Sequence, residues 1–328
     1  MKKNSVTLAD IYAARRTIAP WVRRTPVVYS GALSRHTGAD VYLKLETTHD
    51  TGAFKVRGAT NRVMHLSEAE RERGVVVVST GNHGRAVAYA AQRLGMRAVV
   101  CMSELVPRNK VEAIRALGAE VRIVGRSQDD AQVEAQRLTR EEGLTFVHPF
   151  DDPYVIAGQG VIGVELLEDL GTVDCALVGL SGGGLISGTA IALKGANRAA
   201  RVIGISMERG PAMYHSIRAG KPVAVEEEAT LADSLGGGIG LDNRYTFDLV
   251  QRYVDDYVLL NEAQIAAGMR HLYHEERVIA EGAAAVGVAA LLEHAAGKPR
   301  GNVVCIISGN NVDMDAFTDI VTGKRREA

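Results

Sequence analysis

Cysteine is scarce: three in 328 residues, none of them spaced as C-x-x-C, which excludes a disulfide-stapled scaffold and a thiolate metal site. Cys101, Cys175 and Cys305 each fall inside an apolar, strand-like run and read as buried, reduced thiols. Charge of one sign is lacking too. The 38 basic and 39 acidic side chains leave a net charge of -1, so no global field draws nucleic acid or an anionic membrane, and the expected partner is a small molecule. No uninterrupted apolar run approaches the ~20 residues of a membrane span. Met1-Lys2-Lys3-Asn4-Ser5 opens no signal-peptide core, and a cytoplasmic location is expected. Repeats and low-complexity linkers are missing as well, apart from a polar tail at 324–328.

Apolar sequence, by contrast, is plentiful and arranged in alternation. At 46% apolar residues the chain has material for real cores, and its length suggests about two domains. Strand candidates fall at 41–45, 75–79, 98–102, 120–124, 145–147, 175–180, 202–207, 253–260 and 303–307, with helical patterns between most of them. That is the rhythm of βαβ units, so an α/β fold with open, parallel-rich sheets flanked by helices is expected. Two helix starts are explicit. Ser67-Glu68-Ala69-Glu70 is a capping box, and Pro107 is a first-turn proline ahead of Val111, Ile114 and Leu117 on one face.

Lys55 is the candidate for chemistry. It stands in the segment from Glu46 to Ala59, where an amine leaves a turn and enters a helix behind Phe54. Phe54 and Val56 should desolvate it, and cationic Arg57 should add to the same effect; both lower an ammonium pKa and favour the nucleophilic amine. These few residues alone favour a surface lysine at a helix start. Three polar, glycine-bearing loops elsewhere argue for chemistry: Ser79-Thr80-Gly81-Asn82-His83-Gly84, Ser181-Gly182-Gly183-Gly184-Leu185 and Ser308-Gly309-Asn310-Asn311. Each follows a predicted buried strand, and open α/β sheets bind ligands at such carboxyl ends. Gly182, Gly183 and Gly184 would let backbone N–H groups converge on a phosphate at the head of the next helix, whereas a tight turn would need only one of them. For Ser79 and Thr80 a plain helix cap is the alternative.

Further segments complete a pattern: His148-Pro149-Phe150-Asp151-Asp152, Ile156-Ala157-Gly158-Gln159-Gly160, Thr230-Leu231-Ala232-Asp233, Ile239-Gly240-Leu241 and Glu281-Gly282-Ala283. With the three loops they resemble the pyridoxal-phosphate (PLP) enzymes of fold type II, the tryptophan synthase β-like fold, and among these the serine/threonine dehydratase and serine racemase group. The resemblance runs from about Thr7 to Ile320. It implies a large PLP-binding domain of residues 1–70 and 151–328, a small domain of 71–150 carrying a substrate-carboxylate loop, and a homodimer or higher homo-oligomer. By the same resemblance Lys55 forms the Schiff base with pyridoxal 5'-phosphate. Phe54, Asn82, Ser181, Gly182, Gly183, Gly184, Leu185, Glu281 and Ser308 contact the cofactor, Asn82 at its ring oxygen and Ser308 at its pyridine nitrogen. Ser79, Thr80, Gly81, Asn82 and His83 hold the substrate carboxylate.

Ser308 bears on the reaction, because a hydroxyl partner leaves the pyridine nitrogen neutral and the ring a weaker electron sink, which favours β-elimination over transamination. The implied reaction is dehydration of a β-hydroxy amino acid of the threonine or serine class. Lys55 removes the Cα proton, the cofactor phosphate protonates the departing hydroxyl, and the enamine product hydrolyses to a 2-oxo acid and ammonia. Ala53 stands where the family has serine and Asn310 where it has glycine, so a hydroxyectoine-utilisation or phenylserine-type dehydratase is an alternative. A β-replacement synthase, a racemase (Thr80 replacing the second acid/base serine) and a non-catalytic sensor are others. Glu208 and the carbonyl of Ala212 match two ligands of the group's divalent-cation site, but Tyr214 replaces a carboxylate there, and no metal is expected. The short stretch after Ser308 leaves no room for a regulatory domain, as in a catabolic amino acid enzyme.

Overall fold

The computed structural model describes residues 6–79, 81–106 and 108–324; Thr80, Pro107 and the end of the polar tail lie outside the described residues. Among the described residues ten strands build two sheets: β1 (Val27–Tyr29), β2 (Asp40–Leu45), β3 (Val75–Val78), β4 (Ala98–Met102), β5 (Glu120–Ile123), β6 (Thr145–Phe146), β7 (Cys175–Gly179), β8 (Arg201–Met207), β9 (Asp256–Leu260) and β10 (Asn302–Ile307). The larger sheet has the order β1-β2-β10-β7-β8-β9 and the smaller β5-β4-β3-β6. Every pairing is parallel except β1 with β2. The expected α/β class and parallel-rich sheets are therefore present.

Two elements differ from expectation. β1 is a three-residue edge strand, too short to carry a periodic signal, and its register (Val27 opposite Lys44, Tyr29 opposite Tyr42) is set by β2. The strand expected at 253–260 begins only at Asp256, because Tyr253 ends the helix Thr246–Tyr253, whose Phe247, Leu249 and Val250 are buried at helical spacing. The capping box forms as read: Ser67 Oγ accepts from Glu70 N–H at 3.3 Å and Glu70 Oε2 accepts from Ser67 N–H at 2.8 Å. Cys101, Cys175 and Cys305 are buried free thiols whose pKa values burial pushes up.

Helix packing sets up the site. Three helices, Lys55–Met64, Pro153–Leu170 and Gly184–Ala196, meet through glycines. A Cβ on Gly58 would sit 2.7 Å from the carbonyl oxygen of Val155, and one on Gly158 would sit 2.7 Å from that of Arg57. Gly160 and Gly188 face each other as closely on the other side. Each interior glycine costs about 1 kcal/mol of helix propensity relative to alanine. The close backbone contact they allow brings the first residues of two helices, Lys55 and Gly184, toward one cavity.

Candidate active site

The motif loops leave the carboxyl ends of their strands: Ser79 follows β3, His148-Pro149-Phe150 follows β6, Ser181 to Gly184 follows β7 and Ser308 follows β10. They enclose a cavity of about 970 Å³. Every described residue that the sequence singled out for cofactor or substrate lines it, from Phe54 and Lys55 to Glu281 and Ser308.

Backbone pairing fixes the lysine segment. Phe54 N–H donates to Ser308 O at 3.0 Å, Asn310 N–H donates to Gly52 O at 2.9 Å, and Ala53 bridges to Gly309. Lys55 is then the first residue of its helix; its Nζ donates to Pro149 O at 2.7 Å and lies 5.4 Å from the centre of the Phe54 ring. Burial lowers the amine pKa to about 8, against the opposing pull of the Glu281 charge. The role given to Arg57 is corrected. Its guanidinium is buried and turned away into a cluster with Glu46 (2.7 and 2.9 Å) and Glu165 (2.8 and 2.8 Å), where its charge is compensated rather than acting on Lys55. Lys44 joins the same cluster, its Nζ 2.7 Å from Glu165 Oε2.

The glycine loop has a packing reason besides the one read from sequence. Gly183 has φ +89°, the left-handed region that favours glycine, and the Phe150 ring leaves no room for a Cβ at Gly182. At Gly184 a Cβ would be 3.1 Å from Phe150. Gly183 is the N-cap of helix Gly184–Ala196 and no side chain caps that end, which leaves the first N–H groups free to bind an anion. Leu185 is buried in the first turn.

Across the cavity, Gly81 is the N-cap of helix Asn82–Arg93, also without a side-chain cap. Ser79 is thus not the cap; its Oγ accepts from Gly81 N–H at 3.2 Å in a local turn. Asn82 Nδ2 donates to Glu281 Oε1 at 2.8 Å, and its Oδ1 accepts from Asn311 Nδ2 at 2.6 Å. Burial, with Asp233 nearby, pushes the Glu281 carboxyl up to about 7. His83 Nε2 is 2.9 Å from Val147 O, so it carries the proton and leaves a lone pair on Nδ1. Burial, then the Lys55 charge, depresses this imidazole to about 3. Ser308 is buried at the end of β10. Glu208 is exposed after β8 and Ala212 begins a helix; among the described residues no three His, Cys, Asp or Glu side chains converge as a metal site.

Sequence reasoning names some residues without seeing their part. Pro149 supplies the carbonyl for Lys55, Phe150 shapes the glycine loop, and Gln159 lines the cavity. What Pro149, Phe150 and Gln159 touch depends on segments distant in the chain: Lys55, Gly182 and Gly58.

The sequence profile of the family described as "Pyridoxal-phosphate dependent enzyme" matches residues 18–309. The chain belongs to this family. It is 52% identical over 320 residues to a putative threonine dehydratase of Sinorhizobium fredii, covering 98% of this chain and 96% of that one. It is 45% identical over 316 residues to the L-threonine ammonia-lyase of Thermotoga maritima, covering 96% and 78%. Among solved structures, maize serine racemase superimposes with a TM-score of 0.91 at 32% identity, covering 98% of each chain. The processed form of threonine deaminase isoform 2 from Solanum lycopersicum superimposes with a TM-score of 0.88 at 33% identity, covering 96% of this chain and 87% of that one.

This PLP enzyme therefore has the type II fold and is a lyase of the dehydratase kind, as its motifs implied. Its residues fit the cofactor on independent grounds. A lysine amine with a pKa of about 8 and an uncapped helix N-terminus behind a glycine loop open on one cavity, an arrangement suited to an aldehyde that carries a phosphate.

Proposed function

We propose that the enzyme dehydrates threonine or serine, releasing ammonia and a 2-oxo acid, and that Lys55 is its catalytic base. The observation that carries this reading is the Lys55 amine: held by one neutral carbonyl and depressed to about 8, it is available as a base near neutral pH. Lys55, the loop Ser181 to Gly184, Leu185, Asn82, Phe54 and Ser308 would hold PLP, with Glu281 beside Asn82. When bound, PLP supplies an electron-withdrawing ring that stabilises charge at the substrate Cα.

The chain's own groups do the rest. The uncapped head of helix Asn82–Arg93 presents its first N–H groups, those of Asn82 and His83, to the substrate carboxylate, with the Ser79 hydroxyl beside them on the same cavity. Lys55 receives the Cα proton, and loss of the β-hydroxyl as water leaves an enamine that hydrolyses to the 2-oxo acid and ammonia. Neutral His83 keeps a second positive charge away from the lysine. In this reading the smaller sheet, within residues 71–150, is the substrate-carboxylate domain, and 1–70 with 151–328 is the PLP domain. A cytoplasmic homodimer is the proposed setting. Purified holoenzyme offered threonine, serine and bulkier β-hydroxy amino acids should release ammonia and 2-oxo acid in equal amounts, fastest from the first two. A preference of about tenfold or more for a bulkier substrate, ~1.4 kcal/mol in transition-state binding, would overturn the threonine/serine assignment.

A further inference from the structure

We infer that Gln159 is a ligand of the cofactor phosphate, donating from its carboxamide alongside the backbone of the glycine loop. The inference rests on the proposed phosphate role of Gly182 to Gly184. Gln159 is only 1% exposed, and neither Nε2 nor Oε1 has a hydrogen-bond partner among the described residues. Buried carboxamides are almost always satisfied, so one without a partner in the protein points to something bound. The same side chain lines the catalytic cavity.

Its position favours an anion. Gln159 lies on helix Pro153–Leu170 against Gly58, where an added Cβ would come 2.5 Å from Nε2, one turn along the helix that Lys55 begins. On its other side the same helix packs at Gly160 against Gly188, in the second turn of the helix that Gly184 begins. Helix Pro153–Leu170, which carries Gln159, therefore packs between two helices of 10 and 13 residues whose N-termini both open on the cavity. Each contributes the positive end of its dipole, neither has a side-chain cap, and a phosphate dianion is the species that two such ends select. The loop from Ser79 to His83, where the substrate carboxylate is proposed to bind, leaves a different strand, β3. A neutral amide adds a directed N–H donor without a countercharge that would alter Lys55.

The test compares PLP with pyridoxal, which lacks the phosphate, by equilibrium titration of apoenzyme. Gln159→Met, close to glutamine in shape, should weaken PLP binding about tenfold or more, the scale of one hydrogen bond to a charged group, and leave pyridoxal binding within about twofold. Gln159→Glu should weaken PLP further by repulsion. Equal losses for both ligands, or no loss for PLP, overturn the inference. Gly183→Ala tests the underlying reading: if it alone abolishes the preference for PLP over pyridoxal, the glycine loop binds phosphate and Gln159 does not. If Gly183→Ala leaves that preference intact, the loop reading itself fails. Should neither Gln159 variant fold, a crystal structure of the holoenzyme decides, and a separation from Nε2 to the nearest phosphoryl oxygen beyond about 3.5 Å counts against the inference.

Discussion

Helix Lys55–Met64 separates two buried charged regions that are built on opposite principles. Behind it, Arg57, Lys44, Glu46 and Glu165, each 3% exposed or less, form a mutually compensated set of two cations and two anions, with Arg15 and Asp169 at its rim. Every carboxylate oxygen there accepts at least one hydrogen bond, and Thr25 and His49 take up remaining positions on Glu46. In front of it, Lys55 has one carbonyl partner, while His83 Nδ1 and both amide atoms of Gln159 have no partner among the described residues. A saturated cluster stabilises one conformation and has nothing left with which to bind. An unsaturated one is less stable on its own and can bind. Two residues of the same segment, 55 and 57, thus serve opposite ends.

The comparison is tested most severely by activity. Lys55→Ala should lower ammonia release by at least ~10³-fold, the scale of a lost general base, while the melting temperature of its apoenzyme equals or exceeds that of the parent apoenzyme, since an incompletely compensated ammonium is removed from the cavity. A large loss of stability would mean that Lys55 is structural and that the two regions are alike. Arg57→Met should do the reverse. It leaves two buried carboxylates with Lys44 as the fully buried cation between them, so that Glu46 loses its guanidinium partner, and should cost roughly 3–5 kcal/mol of folding stability, read from urea denaturation of the apoenzyme. A cost below ~1 kcal/mol would show that the cluster relaxes or takes up water.

These two regions are unequally legible in the sequence. The front is readable because its parts are short motifs, each complete within a loop at the end of a strand, and the βαβ rhythm tells where those ends are. The back is not: Arg57 and Glu46 are in view, but their partner Glu165 lies 108 residues from Arg57 and sits in a largely apolar helix that gives no sign of it. That is why Arg57 reads, in sequence, as a neighbour acting on Lys55. Gln159 is silent for a related reason, since a glutamine in an apolar helix looks the same whether its amide is used or free. The glycines at 182 and 184 read for phosphate alone, and the demand made by Phe150 comes only from packing between the loops after β6 and β7.

A smaller effect is expected at Ser308, whose carbonyl holds the lysine segment while its side chain lines the cavity. Ser308→Asp preserves the backbone bond to Phe54 and puts a carboxylate where a hydroxyl was. With the proposed contact to the pyridine nitrogen, elimination should slow by about tenfold, the equivalent of one charged hydrogen bond misplaced. Unchanged turnover and an unchanged cofactor absorbance spectrum would remove Ser308 from the mechanism.

The mildest perturbation is pH, and it separates front from back without any mutation. Burial lowers the Lys55 amine from the ordinary 10.5 to about 8, so in apoenzyme its acylation by an amine-directed reagent should rise with a midpoint near 8, well before surface lysines react. Between these two values the unfolded chain holds a proton that the folded protein does not. Stability contributed by Lys55 therefore rises as pH rises from about 8 toward 10.5, and is lost as pH falls through the lower value. Glu46 acts in a different range: burial opposes its ionisation, but Arg57 and His49 prevail and hold the carboxyl well below the usual 4.5, so its contribution is present above that pH and disappears only in acid. Lys55→Met should flatten the alkaline part of the stability curve and leave the acid limb unchanged. Glu281→Gln, which removes the charge that holds the amine up, should shift the acylation midpoint below that of the parent. An acylation midpoint in the parent protein at the ordinary 10.5 would mean that the amine is solvated, and the contrast between the two sides of the helix would be lost.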